Sequence, residues 1–436
     1  MNVPHRDLPR IVIIGCGFAG LKFAKTINTN QYQVVLFDKN NYHTFQPLMY
    51  QVASAGLEPD SIVYPIRKVF NRKKNFHFRM ADVHQIDAEK KLVHTSVGIL
   101  DYDYLVMATG AQSNFFGMKN IEKYSMPMKS LVEALNLRSL ILQNFEKALN
   151  CSNVQERDAL MSFVIVGGGA TGVELAGALA ELKRYILPKD YPDLDIRRMQ
   201  IHVVQGADRL LPSMSKKASA DAEAFLRKMG VNIWLDIRAK DYDGTTVYTN
   251  QETFKAKTLI WTAGVKGAPT AGLKANKTNS DRVLVNTLNQ INGYKEIFAI
   301  GDVAAMPSEE LPYGHPMLAS VAVQQGVHLA KNFNRLAKEK EMLPFVYRDK
   351  GTMATIGRNL AVVDTKRLKF GGWFAWLLWM FVHLMLLVDF RSRLVVFVNW
   401  AWSYCFYDKG TRLIVREVKD KTLPNCVELE EGSSTK

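Results

Sequence analysis

Gly15, Gly17 and Gly20 stand at the spacing G-x-G-x-x-G directly behind the apolar run Arg10-Ile-Val-Ile-Ile14. The first glycine permits a tight turn, the second lets the backbone approach a pyrophosphate, and the third allows a helix to pack closely on the strand. The helix start that follows, with Phe18 and Ala19 in it, offers unpaired N–H groups and a positive dipole end to phosphate. A second strand, Gln33-Val-Val-Leu-Phe-Asp38, ends in an acid 23 residues after Gly15, with Lys39 next. Asp38 can accept hydrogen bonds from ribose hydroxyls, so the combination reads as a dinucleotide site.

The unit occurs twice. Gly167, Gly169 and Gly172 repeat the spacing in Phe163-Val-Ile-Val-Gly-Gly-Gly-Ala-Thr-Gly172, with Gly168 and Thr171 inside the loop. This is a duplicated strand–turn–helix unit, not a short-period repeat. The first site is expected to take FAD, because the second is then free for the nicotinamide nucleotide. Gly301-Asp302, after the strand-like Ile297-Phe-Ala-Ile300, supports this: an acid behind a tight turn suits a ribityl hydroxyl. Val83 is placed near the adenine, although a buried strand valine is the plainer reading. Glu174 falls in the first turn of the second helix, where the helix N-terminus stabilises a carboxylate. That position suffices as a structural explanation. The functional reading is that Glu174 points at the nicotinamide–flavin junction and handles hydride or proton. The second unit's following strand, Gln200-Ile-His-Val-Val-Gln205, ends in Gln205 instead of the acid that selects NAD. An amide does not repel a 2′-phosphate, so NADPH is expected to be accepted alongside NADH. The plainer alternative is that Gln205 bonds the NADH ribose with little selectivity.

These residues need elements that hold them, and the chain is long enough. At roughly 150 residues per domain, 436 residues suggest two or three domains. A composition 47% hydrophobic and 22% charged excludes a mainly disordered or collagen-like chain. The net charge of +14 asks for an anionic partner: nucleic acid, lipid headgroups or phosphorylated ligands. Cys16, Cys151, Cys405 and Cys426 form no close pair, which excludes a zinc ribbon or disulfide scaffold and leaves no expected metal site. The N-terminus has no apolar run before its first strand, so no signal peptide is expected.

The C-terminal quarter differs in character. From Gly371 to Val388 no residue is formally charged, and Leu394–Tyr404 is a second apolar run. Five of the seven tryptophans fall here: Trp373, Trp376, Trp379, Trp400 and Trp402. As a helix the first run would be about 27 Å long, at the low limit for crossing a hydrocarbon core. An interfacial helical hairpin is favoured over a spanning or a core helix. Tryptophan suits the headgroup boundary, and Arg391 and Arg393 can meet lipid phosphates. His383 reads as a satisfied buried or interfacial histidine, with proton donation to a bound ligand as the lesser reading. The tail from Val415 to Lys436 reads as a frayed terminus.

Together these residues resemble the two-dinucleotide-binding-domain flavoproteins, and among them type II NADH:quinone oxidoreductase, the non-proton-pumping NADH dehydrogenase of respiratory membranes. The resemblance runs over residues 10–410. It is carried by Tyr42-His-Thr-Phe-Gln-Pro-Leu-Met-Tyr-Gln-Val-Ala53, Leu105-Val-Met-Ala-Thr-Gly110, Trp261-Thr-Ala-Gly-Val265, Ala299-Ile-Gly-Asp302 and Gly351-Thr-Met-Ala-Thr-Ile-Gly357. It implies an α/β fold of two Rossmann-like, glutathione-reductase-like domains, one inserted in the other, followed by a membrane-anchoring helical region. The expected limits are 1–115 and 266–345 for the FAD domain, 116–265 for the NAD(P)H domain and 346–436 for the anchor. It also implies that Ala108, Thr109 and Gly110, and Ala263 and Gly264, lie against the cofactors. The family's Ala-Gln-x-Ala-x-Gln-Gln-Gly segment lies under the flavin and lines the quinone site. Here it reads Ala319-Ser-Val-Ala-Val-Gln-Gln-Gly326, which keeps Gln324 and Gln325 as candidate catalytic residues and puts Ser320 where the family has glutamine.

The implied activity is transfer of hydride from NADH to non-covalent FAD, then of two electrons to a membrane quinone, without proton pumping. The implied setting is peripheral, on the cytoplasmic face of the cell inner membrane, bound to lipid, with a homodimer compatible. Disulfide reductases and sulfide:quinone oxidoreductases share the fold but need cysteines that Asn40–Ala55 and the isolated Cys151 do not supply. Two alternatives remain. One is a soluble ferredoxin- or rubredoxin-reductase-like flavoprotein, which would not need the tryptophan-rich tail. The other is an FAD-containing nucleic-acid-binding or signalling protein. Against the latter, the basic clusters Arg67-Lys68 and Arg72-Lys73-Lys74 carry little aromatic interleaving, and no nucleic acid is expected as partner.

Overall fold

The computed structural model describes residues 1–436 except 6, 389, 407–409, 416–417 and 419–436. Cys426 and most of the mixed-charge tail lie outside the described residues.

Two parallel five-stranded sheets form the body. The first runs in the order Ile297–Ala299, Tyr104–Met107, Arg10–Ile14, Gln33–Asp38, Phe76–Met80. Its central strands are apolar on both sides because both faces are covered. The helices Phe18–Thr26 and Ala319–Leu336 pack on one face through Phe23, Leu329 and Phe333. A three-stranded antiparallel sheet (Val83–Asp87, Leu92–Thr95, Gly98–Asp101) lies on the other side, with Val83 buried in that core. The second sheet runs Met126–Pro127, Thr258–Trp261, Ser162–Val166, Gln200–Val204, Asn232–Trp234. It too has helices on one face and a small antiparallel sheet on the other. The duplication seen in the glycine motifs thus extends to the covering layers. The strand Ile297–Ala299 pairs with Tyr104–Met107, so the chain leaves the first sheet, builds the second, and returns.

A third unit follows. The antiparallel strands Thr352–Gly357, Leu360–Asp364 and Lys369–Gly372 lead into the helices Trp373–Leu386 and Phe390–Phe406. The uncharged run from Gly371 is therefore not one 18-residue helix. Gly371 and Gly372 still pair with Val362 and Ala361, and Gly372 turns the chain at φ +90° before the helix starts. No helix among the described residues is long and apolar enough to cross a membrane. This unit rests on the second fingerprint helix, Ala170–Glu181. A Cβ on Gly177 would fall 1.5 Å from the Ile356 carbonyl oxygen, so that contact admits only glycine.

Candidate active site

The two glycine loops share one local design. Gly15 and Gly167 sit at φ +99° and +113°, a region costly for side chains, and each N–H bonds back to the strand alongside. Cβ atoms on Gly20 and Gly172 would each lie 2.0 Å from the carbonyl of the first glycine of their loop. A Cβ on Gly17 or Gly169 would meet nothing within 4 Å, and Gly169 to Thr171 are exposed. Each loop therefore leaves an open cradle over a helix N-terminus, which fits a pyrophosphate.

The residues at the ends of the following strands also match. Asp38 Oδ2 accepts from Cys16 N at 2.6 Å, and Gln205 Oε1 accepts from Gly168 N at 2.9 Å. Cys16 and Gly168 are the middle residues of their loops, so each strand-end side chain holds its own loop in shape. Asp38 Oδ1 also accepts from Asn40 N, and burial raises the carboxyl above its ordinary range against the pull of these N–H donors. Gln205 Nε2 donates to Arg209 O at 3.3 Å. Lys39 is exposed beside Asp38. His43, read only as part of a motif, faces the Cys16 carbonyl through Nδ1 at 2.8 Å, and burial holds its pKa down to about 4. Burial raises the Cys16 thiol, which leaves it a packing group.

On the far side of the first cradle, Gly301 N donates to Gln325 Oε1 at 2.7 Å, and Gln325 is fully buried. Gln325 thus fixes the turn that presents Asp302. Lys129 Nζ lies 3.8 Å from the Asp302 carboxylate. Arg282, which carried no sequence signal, bonds the backbone carbonyls of Asp302, Tyr313, Ala304 and His315 and staples this loop. Gln324 both donates to and accepts from the backbone of Arg348, tying down the strap after its helix. Ser320 bonds the Tyr347 hydroxyl. Thr109 Oγ1 is shut off from solvent with no hydrogen-bond partner among the described residues, beside Ala108 and Gly110 at the mouth of the first loop. An open cradle, an orphaned hydroxyl and a fixed acid together fit FAD. Ala263 lies against Gly167, and Gly264 sits under the ring of Phe116.

A cavity lies between the second fingerprint helix, the short helix Met49–Ala53 and the C-terminal helices. Glu174, Tyr50, Trp379 and Trp400 line it. Burial raises the Glu174 carboxyl well above its ordinary range, opposed only by the Thr355 backbone N–H. Glu181, two turns further along the helix, accepts from Arg358 N. A π turn, Leu182–Ile186, begins directly behind it. Such turns recur where a helix must re-aim side chains at a site. His383 bonds the Trp379 carbonyl at 2.8 Å and stacks on that ring, which makes it a satisfied, buried histidine held neutral, with its pKa near 4, by burial.

A family model described as pyridine nucleotide-disulphide oxidoreductase matches residues 9–326, and one described as NDH2 C-terminal domain matches residues 350–407. The type II NADH:quinone oxidoreductase NdhA of Mycobacterium tuberculosis is 32% identical over 431 residues, covering 94% of this chain and 90% of its own. The chain belongs to the type II NADH:quinone oxidoreductases. A second member from that organism, Ndh, is 33% identical over 418 residues, covering 92% and 89%. Among solved structures, NDH2 of Plasmodium falciparum in complex with NADH has this fold, with a TM-score of 0.85 at 22% identity over 94% of this chain and all of that one. As a member of this family, the chain is an FAD-dependent flavoprotein and associates with membranes peripherally.

The C-terminal helices expose many large apolar side chains. Phe374, Phe381, Leu386 and Phe390 are all more than 60% exposed, and Leu394, Phe397, Val398 and Trp402 more than half. So many large apolar side chains exposed on two neighbouring helices are unusual for a monomeric soluble protein. The inner faces of the same helices are core: Ala375, Trp379, Leu387 and Val396 are buried with the second nucleotide unit. The apolar excess of this region is thus shared between core and surface.

Proposed function

We propose that this oxidoreductase takes hydride from NADH at the second glycine loop and passes two electrons to a membrane quinone in the cavity beside Glu174. When bound, FAD supplies the redox chemistry, accepting the hydride and releasing electrons to the quinone. The chain supplies geometry. The loops at Gly15–Gly20 and Gly167–Gly172 bind the two pyrophosphates at helix N-termini. Asp302, held by Gln325 and Lys129, serves the ribityl chain, and Thr109 donates to the flavin. Glu174 lines the cavity and takes part in hydride or proton handling there. We read Gln324 and Gln325 as positioning residues. Residues 1–115 and 266–345 then act as the FAD part, 116–265 as the NAD(P)H part and 346–436 as the anchor.

One observation carries this reading. A single cavity is lined by a residue of the nucleotide-binding helix, Glu174, and by tryptophans of the helices that expose an apolar face. A long-tailed quinone reaches such a cavity from lipid. We place the body on the cytoplasmic face of the inner membrane, where NADH is found, with Arg391 and Arg393 toward the headgroups and a homodimer compatible with this docking. The neutral amide at Gln205 supports use of NADPH as well as NADH. The test is NADH oxidation by the purified, flavin-loaded protein with a quinone, a ferredoxin or no acceptor. Quinone-dependent turnover is expected; turnover with ferredoxin alone would overturn the reading.

A further inference from the structure

The cavity beside Glu174 contains a hydrogen-bond chain whose direction is fixed. Trp400 Nε1 lies 2.8 Å from Gln51 Oε1, and Gln51 Nε2 lies 2.7 Å from the Tyr50 hydroxyl. An indole N–H can only donate. The amide oxygen of Gln51 must therefore face Trp400, and its NH₂ must face Tyr50. The Tyr50 oxygen is then an acceptor toward Gln51, and its own proton is left to point elsewhere. Tyr50 is only 6% exposed, and no acceptor for that proton lies within hydrogen-bond distance among the described residues. Trp379, whose ring lies 6.5 Å from that of Tyr50, is 2% exposed, and its Nε1–H is also buried without a partner among the described residues. Both residues line the same cavity.

Two buried, unpartnered donors beside each other are costly unless something accepts from them: an unmet buried donor costs about 1–3 kcal/mol. A carbonyl oxygen has two lone pairs and can accept from two donors that line the same cavity.

We propose that Tyr50 O–H and Trp379 Nε1–H together bind one carbonyl oxygen of the quinone, and that Trp400, acting through Gln51, holds the Tyr50 proton toward the substrate. This rests on the quinone reading of the cavity. Tyr50 and Trp379 touch the substrate; Gln51 and Trp400 are positioning residues. Trp400 belongs to the helix Phe390–Phe406, whose outer face is the exposed apolar surface.

The test uses the flavin-loaded, full-length protein in quinone-containing vesicles. Tyr50→Phe keeps the ring and removes the donor. It should lower quinone-dependent kcat at least ten-fold while flavin reduction by NADH and turnover with ferricyanide stay within two-fold of the parent protein. Gln51→Glu is isosteric but reverses the chain: an ionised carboxylate accepts from both Trp400 and Tyr50 and draws the phenol proton inward. It should lose quinone turnover similarly at high pH and recover several-fold as pH falls, because the protonated carboxyl regains one donor and one acceptor. Trp400→Phe should lower kcat in the parent background and add nothing in Tyr50→Phe. Full quinone turnover in Tyr50→Phe, no pH-dependent recovery in Gln51→Glu, or additive losses in the double variant would each overturn the inference. If the parent protein itself reduces no quinone, it is the reading of the cavity that fails.

Discussion

Asp38 and Gln205 stand at corresponding places in their two units, and each spends one side-chain oxygen on the N–H of the middle residue of its glycine loop. On the proposed reading, ribose recognition would be built on a group that first shapes the glycine loop. Gln205→Glu keeps the acceptor for Gly168 but sets a carboxylate against the Arg209 carbonyl, which Nε2 now contacts at 3.3 Å. We expect KM for NADH to rise several-fold and KM for NADPH to rise more, because the added charge also repels a 2′-phosphate. Steady-state kinetics with both donors checks this, and equal effects on the two would discount the charge argument. The histidines make a pH prediction. Burial lowers His43, His202 and His383 to about 4, from an ordinary value of 6.5. Between these values the unfolded chain binds more protons than the folded one. Their contribution to stability is complete above pH 6.5 and is lost as pH falls toward 4. Denaturant midpoints at pH 7.5 and 5 should show lower stability at pH 5. In variants with these histidines replaced by glutamine or asparagine, the pH dependence should flatten.

At the scale of elements, the contact between the second fingerprint helix and the strand Thr352–Gly357 joins the nucleotide unit to the C-terminal unit. Gly177→Ala forces a methyl group against the Ile356 carbonyl. Overpacking of this kind costs typically about 1–3 kcal/mol, although alanine is the better helix former. We expect a fall in thermal midpoint together with loss of quinone turnover, while binding of NADH at the neighbouring loop is weakened less. A neutral Gly177→Ala would show that this interface yields easily. The C-terminal helices were legible as apolar and tryptophan-rich. Their true start was not, because Gly372 closes a strand before it opens a helix, and strand pairing with Leu360–Asp364 is a long-range fact.

The whole molecule divides its apolar excess between an interior and an exposed face. Removing both C-terminal helices would strip Trp379 and Val396 from the core they share with the second nucleotide unit and so could not test docking alone. The exposed residues can be changed without that damage. The triple substitution Phe374→Ser, Phe381→Ser and Phe390→Ser should move the protein from the membrane to the soluble fraction, with folding and ferricyanide turnover retained. Burying one phenylalanine is worth about 1.5–3 kcal/mol, so three should weaken attachment by orders of magnitude. Retention on membranes in low and high salt would assign attachment to another surface. The net charge of +14 is consistent with an anionic lipid face; Arg391 is exposed near the start of the second C-terminal helix, whereas the Arg393 guanidinium donates to the Leu387 carbonyl.

What the sequence alone determined was everything set by local chemistry: the two glycine loops, their strands and helix starts, the Gly-Asp turn, and the apolar, tryptophan-rich C-terminus. Glycine spacing and apolar runs act within a few residues, so they can be read in order along the chain. The tertiary structure decided which groups meet. Glu174, Tyr50, Trp379 and Trp400 line one cavity although they come from four elements. Arg282 staples a loop it does not adjoin, and Gln325 reaches back to Gly301. The reason is physical: the direction of a hydrogen bond and the dryness of a cavity depend on packing between distant segments. A glutamine such as Gln51 has no fixed role until an indole from the far end of the chain decides which way its amide points.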